Sequence, residues 1–131
     1  LIGCGVSVVC KTSGDLLADI KEAFDSGDAT EYEILKAYKT VDLLIVDDLG
    51  KEQCTEWSVS TLYAILNDRY EDMKPTIITT NYNADELVRA LTPKGSDGTK
   101  ARAIISRLRE VSTVITMAWA DYRAGGGRRN A

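Results

Sequence analysis

Val41-Asp42-Leu43-Leu44-Ile45-Val46-Asp47-Asp48-Leu49-Gly50 is the stretch on which the reading of this chain turns. Large aliphatic residues from Leu43 to Val46 run without alternation into two adjacent carboxylates and a glycine. So short an unbroken apolar run fits a strand buried on both faces, as in a parallel sheet. Open sheets of that kind carry their functional groups just beyond the carboxyl ends of the strands, where Asp47 and Asp48 fall. Two carboxylates side by side repel, so a cation is expected to compensate them. Mg²⁺ is the economical choice, because one or two carboxylates, waters and substrate phosphates suffice to hold it.

The flanking sequence alternates strands and helices. Val6–Cys10 reads as a strand. Thr12 or Ser13 caps a helix running to about Ser26, with Leu16, Leu17, Ile20 and Phe24 on one face, and Gly27 closes it. A second helical segment spans Thr30 to about Lys39, with Ile34, Leu35 and Tyr38 inward. Beyond the central strand, Glu56 to about Asp72 is amphipathic through Val59, Leu62, Tyr63, Leu66 and Tyr70. Pro75 breaks that helix and leads into a strand over Thr76–Thr80. Asn83 and Glu86 make a capping pair for a short helix over Ala84–Leu91. A loop over Thr92–Thr99, a helix from Lys100 to about Glu110 and a strand over Ser112–Ala118 complete the pattern. The class that follows is α/β with a mainly parallel sheet.

Composition excludes several chemistries. The 131 residues suit one domain, and no histidine is present, which removes most hydrolase triads and most zinc sites. Cys4, Cys10 and Cys54 form neither an even disulfide set nor a zinc pattern, so a reducing cytoplasm is expected. No stretch is long and apolar enough for a membrane span. Net charge is −4 but uneven: residues 1–88 hold 7 Lys/Arg against 17 Asp/Glu, and residues 89–131 hold 9 against 3. The basic third suits an anionic partner, whether nucleic acid, nucleotide phosphate or a neighbouring copy.

Strand-end polar groups are the candidate site: Asp47 and Asp48 after one strand, Asn81 after the next. An Asp-Asp-Leu-Gly turn and a lone asparagine also serve as ordinary turn residues. Helical geometry places Ile104, Ile105 and Leu108 on the buried stripe of the arginine-rich helix, Arg107 on one flank, and Arg102 with Arg109 on the other.

In order and spacing, VDLLIVDDLG, PTIITTNYNADEL, ARAIISRLRE and MAWADYR closely resemble the ATPase domain of DnaC-type replicative helicase loaders. IstB-type transposition helper ATPases share much of the pattern, and both belong to the AAA+ division of P-loop ATPases. The resemblance implies a three-layer P-loop NTPase fold with helices on both faces of the sheet, acting on ATP with Mg²⁺. It implies Asp47 as the Walker B carboxylate that holds Mg²⁺ through water. Asp48 stands where many such ATPases use a longer glutamate to orient the attacking water. Asn81 matches the sensor of the γ-phosphate, Arg107 the arginine finger that reaches a neighbouring subunit, and Arg123 a second phosphate sensor. Implied partners are a replicative helicase, single-stranded DNA and further copies of the chain, and the Trp119–Arg123 end favours the loader over the transposition helper.

Walker A, G-x-x-x-x-G-K-[ST], is not found: Lys11-Thr12 follows a strand, with Cys10 where glycine must stand. The expected organisation is therefore a partial AAA+ domain over 1–123, lacking the first strand and P-loop, then a flexible tail over 124–131. Leu1-Ile2 would end the preceding helix. Without the P-loop strand, Val114–Ala118 should have no inner neighbour, so the slot between it and Thr76–Thr80 should show a gap, a shifted strand or another chain. Two readings of other classes were open. A phosphoacceptor receiver domain needs a third strand-end aspartate, and the corresponding place holds Thr80-Asn81. A non-enzymatic module that has lost its nucleotide site would keep the fold alone.

Overall fold

A computed structural model of the chain describes residues 5–27 and 30–117, with the Thr30 side chain left aside. Three parallel strands lie in the order of the sequence: β1 (Val8–Thr12), β2 (Leu43–Asp47) and β3 (Thr76–Ile78). Val8 pairs with Leu43 and Thr12 with Asp47, while Leu44 to Val46 pair with Thr76 to Ile78. Helices α1 (Ser13–Ser26) and α2 (Thr30–Thr40) link the first two strands, and α3 (Glu56–Glu71) links β2 to β3. Helices α4 (Ala84–Leu91) and α5 (Thr99–Val111) follow.

The middle strand carries the sheet. Leu44 and Val46 are completely buried on one face and Leu43 is buried on the other. Leu44 and Val46 meet Leu16 and Ile20 of α1, Val59, Leu62 and Ile65 of α3, Leu91 of α4 and Ile104 of α5 in a single core. Removal of an aliphatic side chain of this kind costs about 2–5 kcal/mol. The helix ends were legible: Thr12 caps α1 through the Asp15 amide, Gly27 ends it at φ 69°, and Asn83 with Glu86 form a reciprocal capping box on α4.

Four expectations need correction. β1 begins two residues later than Val6–Cys10, because its start is set by reciprocal bonds across the sheet: Ser7 N donates to Asp42 Oδ2, and Asp42 N donates to Ser7 Oγ. Phe24 is half exposed, since the buried line of α1 runs Leu16, Ile20, Ala23 and turns Phe24 outward. β3 stops at Ile78, where Thr79 and Thr80 turn their hydroxyls toward the loop after β2. The fourth strand is not seen: residues 112–117 form neither helix nor strand, and Val114, Ile115 and Met117 are largely exposed. A strand needs a ladder for its backbone groups, and among the described residues none lies beside this segment; the outer edge of β3 is likewise unpaired. Leu1-Ile2, Ala118, the Trp119–Arg123 end and the tail over 124–131 lie outside the described residues.

Arg69 on α3 is 1% exposed. It belongs to the buried line Val59, Leu62, Ile65, Leu66, Arg69, whereas Tyr63 and Tyr70 lie at the margin of that line. Its guanidinium donates to the carbonyls of Tyr38, Lys39 and Val41, to that of Pro75, and to Thr76 Oγ1. It thereby closes the last turn of α2 and joins the approaches to β2 and β3. Burial works against its charge, and the nearby Asp42 carboxylate works in its favour.

Arg69→Met keeps the aliphatic stem and strands those carbonyls; the urea midpoint should fall by the equivalent of at least about 3 kcal/mol. A second expectation concerns acid. The Ser7 amide and hydroxyl hold the Asp42 carboxyl below the ordinary value of 3.8. A depressed carboxyl stabilises above its unfolded pKa, and that contribution is lost as pH falls through the folded value. Asp42→Asn should therefore be less stable than wild type at neutral pH, with the difference closing as pH drops below 3.8. Parallel urea titrations across pH measure both.

Candidate active site

The chain leaves β2 at Asp47 and turns at once. Asp48 has φ 57°, in the left-handed region that asparagine and aspartate tolerate better than most residues. Its amide donates to Thr79 Oγ1 at 2.9 Å, and its carbonyl accepts from Ser13 Oγ at 3.2 Å and from the Lys51 amide at 3.2 Å. The turn is thus held by backbone groups, which leaves the Asp48 carboxylate out of its construction. Gly50 follows at φ 91°, where a Cβ would come within 2.8 Å of Leu87 and 3.1 Å of Tyr82. Glycine alone lets the loop pass under α4.

Asp47, half-buried at the strand end, accepts a hydrogen bond from the Thr79 hydroxyl through Oδ1. Thr79 continues the line of β3: its amide donates to Val46 O at 3.0 Å, and its carbonyl accepts from the Leu49 amide at 2.8 Å. Thr80 Oγ1 donates to Leu49 O at 2.8 Å. Two adjacent threonines therefore strap the carboxylate loop to the third strand.

Asn81 comes next, exposed, between the Thr80 anchor and the α4 capping box at Asn83. Its side-chain amide makes no hydrogen bond among the described residues. It shares a small pocket of about 40 Å³ with Asp48, Leu49, Lys51 and Tyr82. The structure thus brings Asp48 and Asn81 into one recess, and Asp47 ends the strand immediately before it. A larger cavity of about 370 Å³ lies between the start of α1 and the Leu49–Cys54 loop and is edged by Asp15 and Glu52.

Arg107 lies elsewhere, on the side of α5 that packs against α3. Its guanidinium carbon is 5.6 Å from the Tyr63 ring and 5.7 Å from the Tyr70 ring, an arrangement that favours the cation. Its Nε is buried without a hydrogen-bond partner among the described residues. Arg102 and Arg109 are both exposed, on the flank away from Arg107, as the helical geometry indicates. Arg123 falls outside the described residues.

No group of three or more Cys, Asp or Glu side chains converges among the described residues, so an all-protein metal cage is not available there. The donor set at the strand ends is one or two carboxylates beside open solvent. That set fits Mg²⁺, which keeps waters and phosphate oxygens in its shell. Sequence reasoning missed Thr79, Thr80, Ser13 and Lys51. The run of hydroxyl residues immediately before Asn81 was the available signal.

The geometry of the turn yields a test free of any ligand. Asp48→Asn should leave stability within about 0.5 kcal/mol of wild type, whereas Asp48→Val should cost at least about 1 kcal/mol, because a β-branched residue resists positive φ. Chemical denaturation of the two variants checks this.

Similarity to known proteins agrees with this fold. The family described as "IstB-like ATP binding protein" matches residues 2–129. The replicative helicase loader DnaC of Escherichia coli (strain K12) is 24% identical over 121 residues, which are 92% of this chain and 46% of that protein. The chain thus spans about half the length of its curated loader relatives. The fold superposes on the crystal structure of DnaI with a TM-score of 0.71 at 28% identity, covering 86% of this chain and 58% of that one. For the crystal structure of the DnaC helicase loader the TM-score is 0.67 at 26% identity, with 84% and 60% covered. Because one pattern runs through nearly its whole length, this chain belongs to the IstB-like ATP-binding proteins, AAA+ P-loop relatives of the DnaC-type helicase loaders.

Proposed function

We propose that these residues form part of an AAA+ domain that binds and hydrolyses MgATP to help place a replicative helicase on DNA. The observation that carries the proposal is the meeting of Asp47, Asp48 and Asn81 at the carboxyl ends of adjacent parallel strands, in a chain of an ATP-binding family. A replication role is supported by likeness to helicase loaders across 92% of the chain.

Each residue then has a task its position permits. Asp47, oriented by Thr79, holds Mg²⁺ through water. The chemistry such an ion would supply is neutralisation of phosphate charge. Asp48 orients the attacking water, and its carboxylate is left for this because the turn is held through the Asp48 amide and carbonyl. The Asn81 amide, without a partner among the described residues and flanked by the Thr80 and Asn83 anchors, reads the γ-phosphate. Arg107 serves a neighbouring copy, a reading supported by its absence from the recess of its own chain. Arg123 is the second phosphate sensor. The phosphates need a G-x-x-x-x-G-K-[ST] cradle, which the proposal takes from outside these 131 residues. Residues 1–123 would be a part of that domain, with 124–131 as a tail. Its setting is the cytoplasm, and its partners are the helicase, single-stranded DNA and further copies of itself. Among the described residues no helix is long and apolar enough to cross a membrane.

A transposition helper with the same chemistry is the second reading, favoured by the IstB-like family match. Affinity capture with a purified replicative helicase or a transposase separates the two by which one is retained.

In the full-length protein, Asp47→Asn should abolish Mg²⁺-dependent ATP hydrolysis. Arg107→Ala should lower turnover about 10³-fold or more while leaving nucleotide affinity within about threefold. Equal loss of binding and turnover in Arg107→Ala would show that the arginine acts within its own chain. Full activity of Asp47→Asn would remove the ATPase reading.

A further inference from the structure

We infer that Thr79 is the positioning residue of the strand-end carboxylates, its single hydroxyl fixing both the Asp47 side chain and the left-handed turn at Asp48. The inference rests on the proposed role of Asp47 toward Mg²⁺ and adds to it a residue without an assigned task. A threonine hydroxyl has one proton and two lone pairs. Here the proton goes to Asp47 Oδ1, and a lone pair accepts the Asp48 amide at 2.9 Å. An ionised carboxylate only accepts. With Oδ1 engaged by Thr79, Oδ2 has no partner among the described residues and is the oxygen left for a hydrated cation.

The hydroxyl is itself well placed to hold a fixed direction. The Thr79 backbone is bonded on both sides, to Val46 O at 3.0 Å and from Leu49 N at 2.8 Å. Branching at Cβ restricts its rotamer. Asp48 sits at φ 57° with its carbonyl held by Ser13, so the amide bond to Thr79 is the other half of what keeps the turn in an uncommon conformation. Thr79 is exposed, so changing it leaves the core untouched. Hydrogen-bonded partners of metal-holding carboxylates are worth about 10–100-fold in metal affinity or activity when removed.

Two variants separate hydroxyl from shape. Thr79→Val keeps the branching and loses both bonds; Thr79→Ser keeps the hydroxyl. In the full-length protein, Thr79→Val should raise the Mg²⁺ concentration for half-maximal ATP hydrolysis about 10–100-fold. The KM for ATP at saturating Mg²⁺ should not change, and Thr79→Ser should restore the Mg²⁺ dependence. In nucleotide-free protein, NMR hydrogen exchange at the Asp48 amide should be faster in Thr79→Val and wild-type in Thr79→Ser. Wild-type Mg²⁺ dependence in Thr79→Val, or a serine variant as impaired as valine, overturns the inference and leaves the ATPase reading standing. Mg²⁺-dependent turnover that survives Asp47→Asn overturns both. If the wild-type protein hydrolyses no ATP, the proposed function falls by itself; the positioning role is then decided by the Asp48 amide, and unchanged exchange in Thr79→Val overturns it.

Discussion

A guanidinium can donate hydrogen bonds and accept none, so Arg69 tolerates burial only because backbone carbonyls surround it. Those carbonyls come from the end of α2, from the residue two before β2, and from the residue just before β3. The two strands are therefore referenced to a common point before they begin. Leu44 N bonds Pro75 O at 3.3 Å at that same level, and the register of the β2–β3 pairing follows. Displacing one strand by a residue would exchange its buried and exposed faces, which the core packing of Leu44 and Val46 forbids.

At the far end of the same ladder the fastening changes chemistry. The charged, buried clamp at the start gives way to neutral hydroxyls of Thr79 and Thr80 acting on the loop after β2. This division has a physical logic. At the closed end the donors all go to backbone carbonyls and one hydroxyl, whereas the open end holds its loop and leaves the Asn81 amide and Asp47 Oδ2 without partners among the described residues.

The parts readable in sequence were those whose cause is local. β2 was legible because Leu43–Val46 is an unbroken apolar run, and α4 because Asn83 and Glu86 sit three apart before Leu87 and Leu91. The parts that escaped depend on residues far away in the chain. Arg69 reads as a surface charge until its acceptors at Tyr38–Val41 are brought near, and Thr79 reads as strand filler until Asp47 and Asp48 arrive beside it. The strand expected over Ser112–Ala118 failed in the opposite sense across its described part, residues 112–117: those residues favour a strand, but propensity is no substitute for a neighbour. For the candidate site, Asp47, Asp48 and Asn81 could be singled out because strand ends converge in parallel sheets. Their strapping could not, because hydroxyl groups carry little signal of their own.

The capping box on α4 has a mechanical consequence. Asn81 is separated by one residue from Asn83, whose side chain and backbone are both committed to the first turn of α4. On the other side it adjoins Thr80, committed to Leu49. Asn81 thus stands between two anchors, one on the loop after β2 and one on α4, and α4 lies against α5, the helix that bears Arg107. The recess and the arginine helix are joined by one continuous run of contacts.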